Sequence, residues 1–258
     1  MLELVGAVQD SAVVLAAFAL GAWLLAEGRD PWAGVALSVA LIKPQLVWLV
    51  PLVLLARRSW AALGGFAAGG AALVVASLAV LGVDAWRDWL RALTSPLYRD
   101  EVVAGQTEKN TSINGLVEHL VPGQGWPATA LWAVGFAVVA ALTLRHRAVL
   151  RDVPLPVLLV TAVPLVTVLL SPHAMVYDLV LVLPAVAWLL GHRSGPTVRG
   201  LVAVGYVLLF LSPLLQIVAR EVPAVTVLAA PWVVIVLVAL WWRLLRPTRQ
   251  DAGAVNSA

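Results

Sequence analysis

The chain has no cysteine in 258 residues, so disulfides, thiolate zinc sites and thiol nucleophiles are all excluded, and nothing marks its redox compartment. Charge is scarce as well: 12% of residues are charged, where a soluble domain carries about 25%. With 62% apolar residues and a mean hydropathy of +0.95, no globular core can house the apolar material, and a water-soluble enzyme is excluded. No P-loop, zincin, nucleophile elbow or Rossmann turn is present, and no repeat of 20 to 50 residues is visible. The first apolar run carries Glu3 and Asp10 with no basic stretch ahead of it, so it reads as a membrane span and not as a cleavable signal.

What is present is a series of long uncharged runs. They cover residues 11–26, 59–83, 119–144, 153–177, 200–219 and 222–242, each near the roughly 20 residues that a helix needs to cross hydrocarbon. The run after Asp178 is short, so its helix is expected to begin upstream, near Met175. The stretch 32–56 is interrupted in its middle by Lys43-Pro44, which predicts either one kinked span or a re-entrant hairpin of two half-membrane pieces. The expected fold is therefore all-α, a polytopic transmembrane helix bundle over residues 1–245 with an outer loop at 84–127 and a cytoplasmic tail at 246–258. Gly64-Gly65 and Gly69-Gly70 place small residues four apart, which predicts close approach of another helix.

The pI of 9.8 would suggest nucleic acid in a soluble protein. Here the arginines stand at the ends of apolar runs and set orientation instead, so no nucleic-acid partner is expected. With the C-terminus inside, eleven cations are cytoplasmic (Arg29, Arg57, Arg58, Arg145, Arg147, Arg151, Arg193, Arg199, Arg243, Arg246, Arg249) and five are outside (Arg87, Arg91, Arg99, Lys109, Arg220). The expectation is a multi-pass protein of the plasma membrane. In its outer loop, "DAWRDWLRAL" reads as an amphipathic helix lying along the surface.

An ionisable side chain at mid-depth in hydrocarbon costs at least ~2.5 kcal/mol and so points to a cavity or a partner. Four places stand out. Lys43, beside a proline that frees backbone groups, is a candidate to hold a phosphate or diphosphate, or is a lysine snorkelling from a turn. In "LLSPHAMVYDLVLVLP", His173, Tyr177 and Asp178 follow a Ser171-Pro172 break, suited to acid/base chemistry, a cation or a sugar hydroxyl, or to helix capping from Ser171. At helical spacing, His173 and Tyr177 share a face. The loop "AGQTEKNTSINGLVEHL" offers Gln106, Asn110, Ser112 and Asn114 to a polyol, with Glu108 and Glu118 as carboxylates. Gln9 and Asp10 open the first span, where Asp10 also suits a helix-start carboxylate. If 32–56 is re-entrant, all four places face one compartment, which predicts a single cavity open to the outer leaflet.

In these residues the chain resembles the polyprenyl-phosphate-mannose-dependent mannosyltransferases of glycosyltransferase family 87, which have the GT-C fold. The likeness is carried by "VQDSAVVLAAFALGAWLLAEGRD", by the Lys-Pro hairpin "AGVALSVALIKPQLVWLVPLVLLARRSW", by "NTSINGL" and by "LSPHAMVYDLVLVLP", in that order. The resemblance implies transfer of a hexose, typically mannose, with inversion, from a polyprenyl-phosphate sugar donor to a glycolipid or glycan acceptor outside the membrane. It implies Lys43 as the donor-phosphate contact; Gln9, Asn110, Ser112 and Asn114 as contacts to sugar or acceptor hydroxyls; and His173, Tyr177 and Asp178 as pocket lining. No cofactor and no metal is implied. Members of that family extend further at the N-terminus, where their proposed catalytic acid lies, so the resemblance presents this chain as the C-terminal portion, with Asp10 as the substitute carboxylate. Two other readings of the residues are a transporter or flippase for a lipid-linked sugar and a non-catalytic membrane protein.

Overall fold

The structure is a computed structural model that describes residues 2–93, 95, 109–121, 126–193 and 195–245, the side chains of 2–9, 93, 220 and 223–225 excepted. The tail at 246–258 and most of the loop at 96–108, with Gln106 and Glu108, lie outside the described residues, as does the side chain of Gln9. Among the described residues the fold is all-α, a membrane helix bundle as expected. Three helices, Trp60–Ala92, Trp126–Arg145 and Pro196–Ala219, are each long and apolar enough to cross a membrane. Apart from the run in the first helix, the remaining apolar runs are broken into shorter pieces, and two of those breaks help build the site.

Helix α1 (Leu2–Ala26) ends in a turn at Gly28, whose φ of 71° lies in the left-handed region that glycine enters without strain. Helix α2 (Asp30–Ser38) returns antiparallel to α1, so close that a Cβ on Gly21 would sit 2.5 Å from Leu37 Cγ. Two 3-10 turns follow, Val39–Ile42 and Pro44–Leu46, with Lys43 between them in an extended conformation (φ −127°, ψ 77°). Pro44 excludes helix at the residue before it. The chain then runs back through α3 (Leu49–Ala56) to Arg57, and α4 (Trp60–Leu93) starts again alongside α2.

The glycines show how α2 and α4 lie. A Cβ on Gly65 would meet the Pro31 carbonyl at 2.0 Å, one on Gly34 the Ala62 carbonyl at 1.9 Å, and one on Gly69 the Ser38 hydroxyl at 2.2 Å. Residue numbers rise together along both helices, so they are parallel and their starts, Arg29 and Arg57, share one end of the bundle. The stretch 30–56 thus enters and leaves on the same side, as a re-entrant hairpin with Lys43 at its tip. At 1.5 Å per residue the tip stands roughly 20 Å from Arg29 along the bundle. Because backbone faces backbone at this contact, Gly34→Ala is expected to cost about 1–3 kcal/mol of stability. A melt in detergent checks it, with Gly64→Ala, whose Cβ would meet nothing within 4 Å, as the variant that leaves the midpoint in place.

Helix α4 is kinked at Gly82 (φ 80°, ψ 166°), and beyond the kink the tryptophan-bearing "DAWRDWLRAL" is helical as expected. Then come α5 (Ile113–Leu120), α6 (Trp126–Arg145), α7 (Arg147–Arg151), α8 (Leu155–Val160) and α9 (Ala162–Leu170). Residues 176–182 form 3-10 turns leading into α10 (Leu183–His192), followed by α11 (Pro196–Glu221) and α12 (Val233–Leu245). The runs at 153–177 and 222–242 are thus not single spans: the first breaks at Thr161 and again after Leu170, and the second opens with 3-10 turns at Pro223–Ala229.

The arginine-bearing ends are held together. The Arg57 guanidinium donates to the Arg151 carbonyl at 2.6 Å and to that of Val153, and Arg193 donates to the carbonyls of Arg243 and Leu244. These are carbonyls at or just beyond helix C-termini, which have no partner within the helix, so the cations cap the ends of α7 and α12. His146 packs edge-on against Trp242, joining the two clusters at one end of the bundle. At the opposite end, His119 Nε2 meets the Thr226 carbonyl at 2.7 Å. Between the ends lies an apolar core that includes Phe18, Leu37, Leu46, Leu54, Leu165 and Leu169, all fully buried.

Candidate functional site

The site forms at the end opposite the arginines, where the breaks at Lys43 and 171–175 meet α1 at Ser11. The Lys43 ammonium at the hairpin tip donates to Asp178 Oδ1 at 2.9 Å and to Ser11 Oγ at 2.9 Å, and the Ser11 hydroxyl donates to Asp178 Oδ1 at 2.6 Å. The ammonium also stands 4.6 Å from the centre of the Tyr177 ring. The pair is sealed unevenly, with 13% of the Lys43 side chain exposed against 2% of Asp178. An ammonium has three donors, and these bonds engage two of them.

Asp178 also fixes the local backbone. Its Oδ2 accepts the Met175 N–H at 2.9 Å, while its own N–H donates to the Met175 carbonyl at 2.8 Å, which caps the turns that start at Val176. The helix after the break therefore begins beside Met175, as expected. Ser171 is not its cap: residues 171–175 are non-helical, and the Ser171 hydroxyl accepts the His173 N–H at 3.2 Å. The helical spacing expected for His173 and Tyr177 is consequently not realised, because the segment follows the Asp178 cap and the pairing with the loop.

That loop is joined to the break by a short antiparallel bridge, Asn110 to Met175. Asn110 Oδ1 accepts from Ser112 Oγ at 2.8 Å, Ser112 N at 3.2 Å and Ala174 N at 3.1 Å, and its amide donates to the Pro172 carbonyl at 3.1 Å. The Thr111 N–H donates to the Ala174 carbonyl at 2.6 Å. Ser112 caps α5, accepting from Gly115 N at 3.3 Å. Asn110 and Ser112 are thus buried and bonded internally, holding the loop against the break. Asn114 lies nearer the surface and donates to the Pro172 carbonyl and to Glu118 Oε1, both at 2.9 Å.

Two polar atoms here have no partner among the described residues: His173 Nδ1 and Glu118 Oε2, both buried. Burial pushes the Glu118 carboxyl above the ordinary carboxylate range, and the Asn114 hydrogen bond offsets part of that. Asp10 is exposed, and it immediately precedes Ser11, which places its backbone beside the Lys43 cluster.

The sequence-predicted residues therefore do converge. Lys43, Tyr177 and Asp178 touch directly, and Asn110, Ser112, Asn114 and His173 adjoin them through the 171–175 break. Among the described residues they meet in a wall of hydrogen bonds, most of them buried. Sequence reasoning missed Ser11, whose hydroxyl binds both members of the ion pair. Its signal was the hydroxyl directly after Gln9-Asp10 at the start of an apolar run.

A buried ion pair at the tip of a re-entrant hairpin, with uncharged hydrogen-bonding groups around it and a bundle of long apolar helices below, defines a polytopic integral-membrane protein. The model of glycosyltransferase family 87 matches residues 1–172, and the chain belongs to that family. It is thus a membrane glycosyltransferase by family and by its apolar helices. No curated protein and no solved structure matches the chain.

Proposed function

We propose that the chain transfers a hexose, mannose in the first instance, from a polyprenyl-phosphate donor to a glycan or glycolipid acceptor at the outer face of the plasma membrane, with its C-terminus in the cytoplasm. The observation that carries this reading is Lys43, a charge held at the far end of a re-entrant hairpin, where the headgroup of a lipid-phosphate sugar would lie. The acceptor oxygen attacks the anomeric carbon, the carbon–oxygen bond to phosphate breaks, and the departing phosphate gains negative charge. Lys43 stabilises that charge most in the transition state, which is where binding energy accelerates a reaction. Asp178 and Ser11 hold the ammonium in place. Asp10 is the carboxylate assigned to receive the acceptor proton.

Tyr177, His173 and Asn114, with Gln9 from α1, are proposed to meet sugar or acceptor hydroxyls. Asn110 and Ser112 serve the same face by fixing the loop. The test is a transfer assay with the purified chain in vesicles, comparing radiolabelled mannosyl-phosphoprenol with a nucleotide-linked mannose. Transfer from the lipid-linked donor alone is expected; transfer from the nucleotide donor, or movement of the intact lipid-linked sugar across the bilayer without transfer, overturns the proposal.

A further inference from the structure

A second feature lies on the other side of the 110–112 and 174–176 bridge. A narrow trough of about 60 Å³, open along one side, runs between α11 and the turns at Pro223–Ala229, and Val176 and Thr111 form part of its wall. Its walls are mostly apolar, with Leu208, Leu215, Leu228 and Trp232 among them. Two of its apolar wall residues, Val176 at 41% and Leu228 at 57%, are themselves exposed, so the mouth of the trough is apolar.

The polar groups of the trough are few. Lys109 lines it, is exposed, and pairs with no carboxylate among the described residues. Pro213 interrupts α11 and has no N–H to give to the Leu209 carbonyl, which loses its helical partner where both residues line the trough. Ser212 accepts from the Gln216 amide at 3.1 Å in the same wall. A cation that pairs with no carboxylate among the described residues, with carbonyl and hydroxyl groups beside an apolar slot, matches a ligand with a negative charge, hydroxyls and a hydrocarbon tail.

We propose that this trough is a site for one anionic membrane lipid, its chain lying along Leu208, Leu215 and Trp232 and its phosphate on Lys109. It is distinct from the Lys43 centre, and its occupancy does not depend on the transfer reaction proposed above. Val176, in its wall, is the neighbour of Tyr177, so a bound lipid abuts the segment that carries the Lys43 partners.

Trp232 supplies the probe. The full chain is placed in nanodiscs of phosphatidylcholine containing equal fractions of acyl-brominated phosphatidylglycerol or acyl-brominated phosphatidylcholine, and the signal of Trp232 is taken as the difference between wild type and Trp232→Phe. One lysine near the surface is worth about fivefold in favour of the anionic lipid, so the brominated phosphatidylglycerol is expected to quench at about one fifth of the fraction the brominated phosphatidylcholine needs. Lys109→Gln, an exposed change that leaves the fold intact, is expected to make the two lipids equal. Equal quenching of the wild type by both lipids, or an anionic preference that survives Lys109→Gln, overturns the proposal.

Discussion

Replacing Lys43 with methionine is expected to destabilise the protein more than replacing Asp178 with asparagine, although both break the same ion pair. The asymmetry comes from burial. With Lys43 gone, the Asp178 carboxylate is left 2% exposed and can only take up a proton or remain an uncompensated charge. Stranding one partner of a buried pair costs about 3–5 kcal/mol. With Asp178 reduced to an amide, Lys43 still has 13% of its side chain open and a flexible stem, so its ammonium can move toward water and its loss falls nearer ~1–2 kcal/mol. Thermal or denaturant unfolding in one detergent measures both. The double variant Lys43→Met/Asp178→Asn removes both charges and is expected to recover most of the loss. Equal losses in the two single variants would show that the pair is sealed on both sides.

The second large effect concerns transfer. Lys43→Ala is expected to lower kcat about 10²–10³-fold, the range seen when one preorganised group at a developing charge is removed, with a smaller change in KM. Lys43→Arg keeps the charge but replaces a compact point donor with a planar fork, so partial activity is expected. Because Lys43→Ala also weakens the fold, the double variant decides the interpretation. A protein of near-native stability without transfer places the role of Lys43 in the reaction, whereas a stable double variant that still makes product reduces the ion pair to scaffolding and removes the main support for the proposed donor site.

The sequence showed the polar groups of this site but not how they are used. Lys43, His173, Tyr177 and Asp178 stand out because charge and proline are conspicuous in apolar runs. Which of them pair is a matter of approach between segments 135 positions apart, as in the Lys43 to Asp178 bond, and spacing along a chain carries no such information. Asn110 and Ser112 looked like sugar contacts because amides and hydroxyls suit polyols. They are equally suited to satisfying the backbone of a non-helical break, and that is what the structure has them do. The helical spacing of His173 and Tyr177 failed for a related reason: a carboxylate three residues on captured the Met175 N–H and set the helix start at Val176.

By itself the sequence determined that the chain lies in a membrane, that it is helical, and where its charged ends fall. Each follows from the local cost of placing backbone and charge in hydrocarbon, which every residue meets wherever its neighbours are. Only the tertiary structure decided that the 30–56 stretch turns back at Lys43 and that Ser11 and Asp178 receive its charge. Those outcomes rest on glycine surfaces at 34 and 65 that let α2 and α4 meet backbone to backbone, a contact that exists only once the helices are side by side.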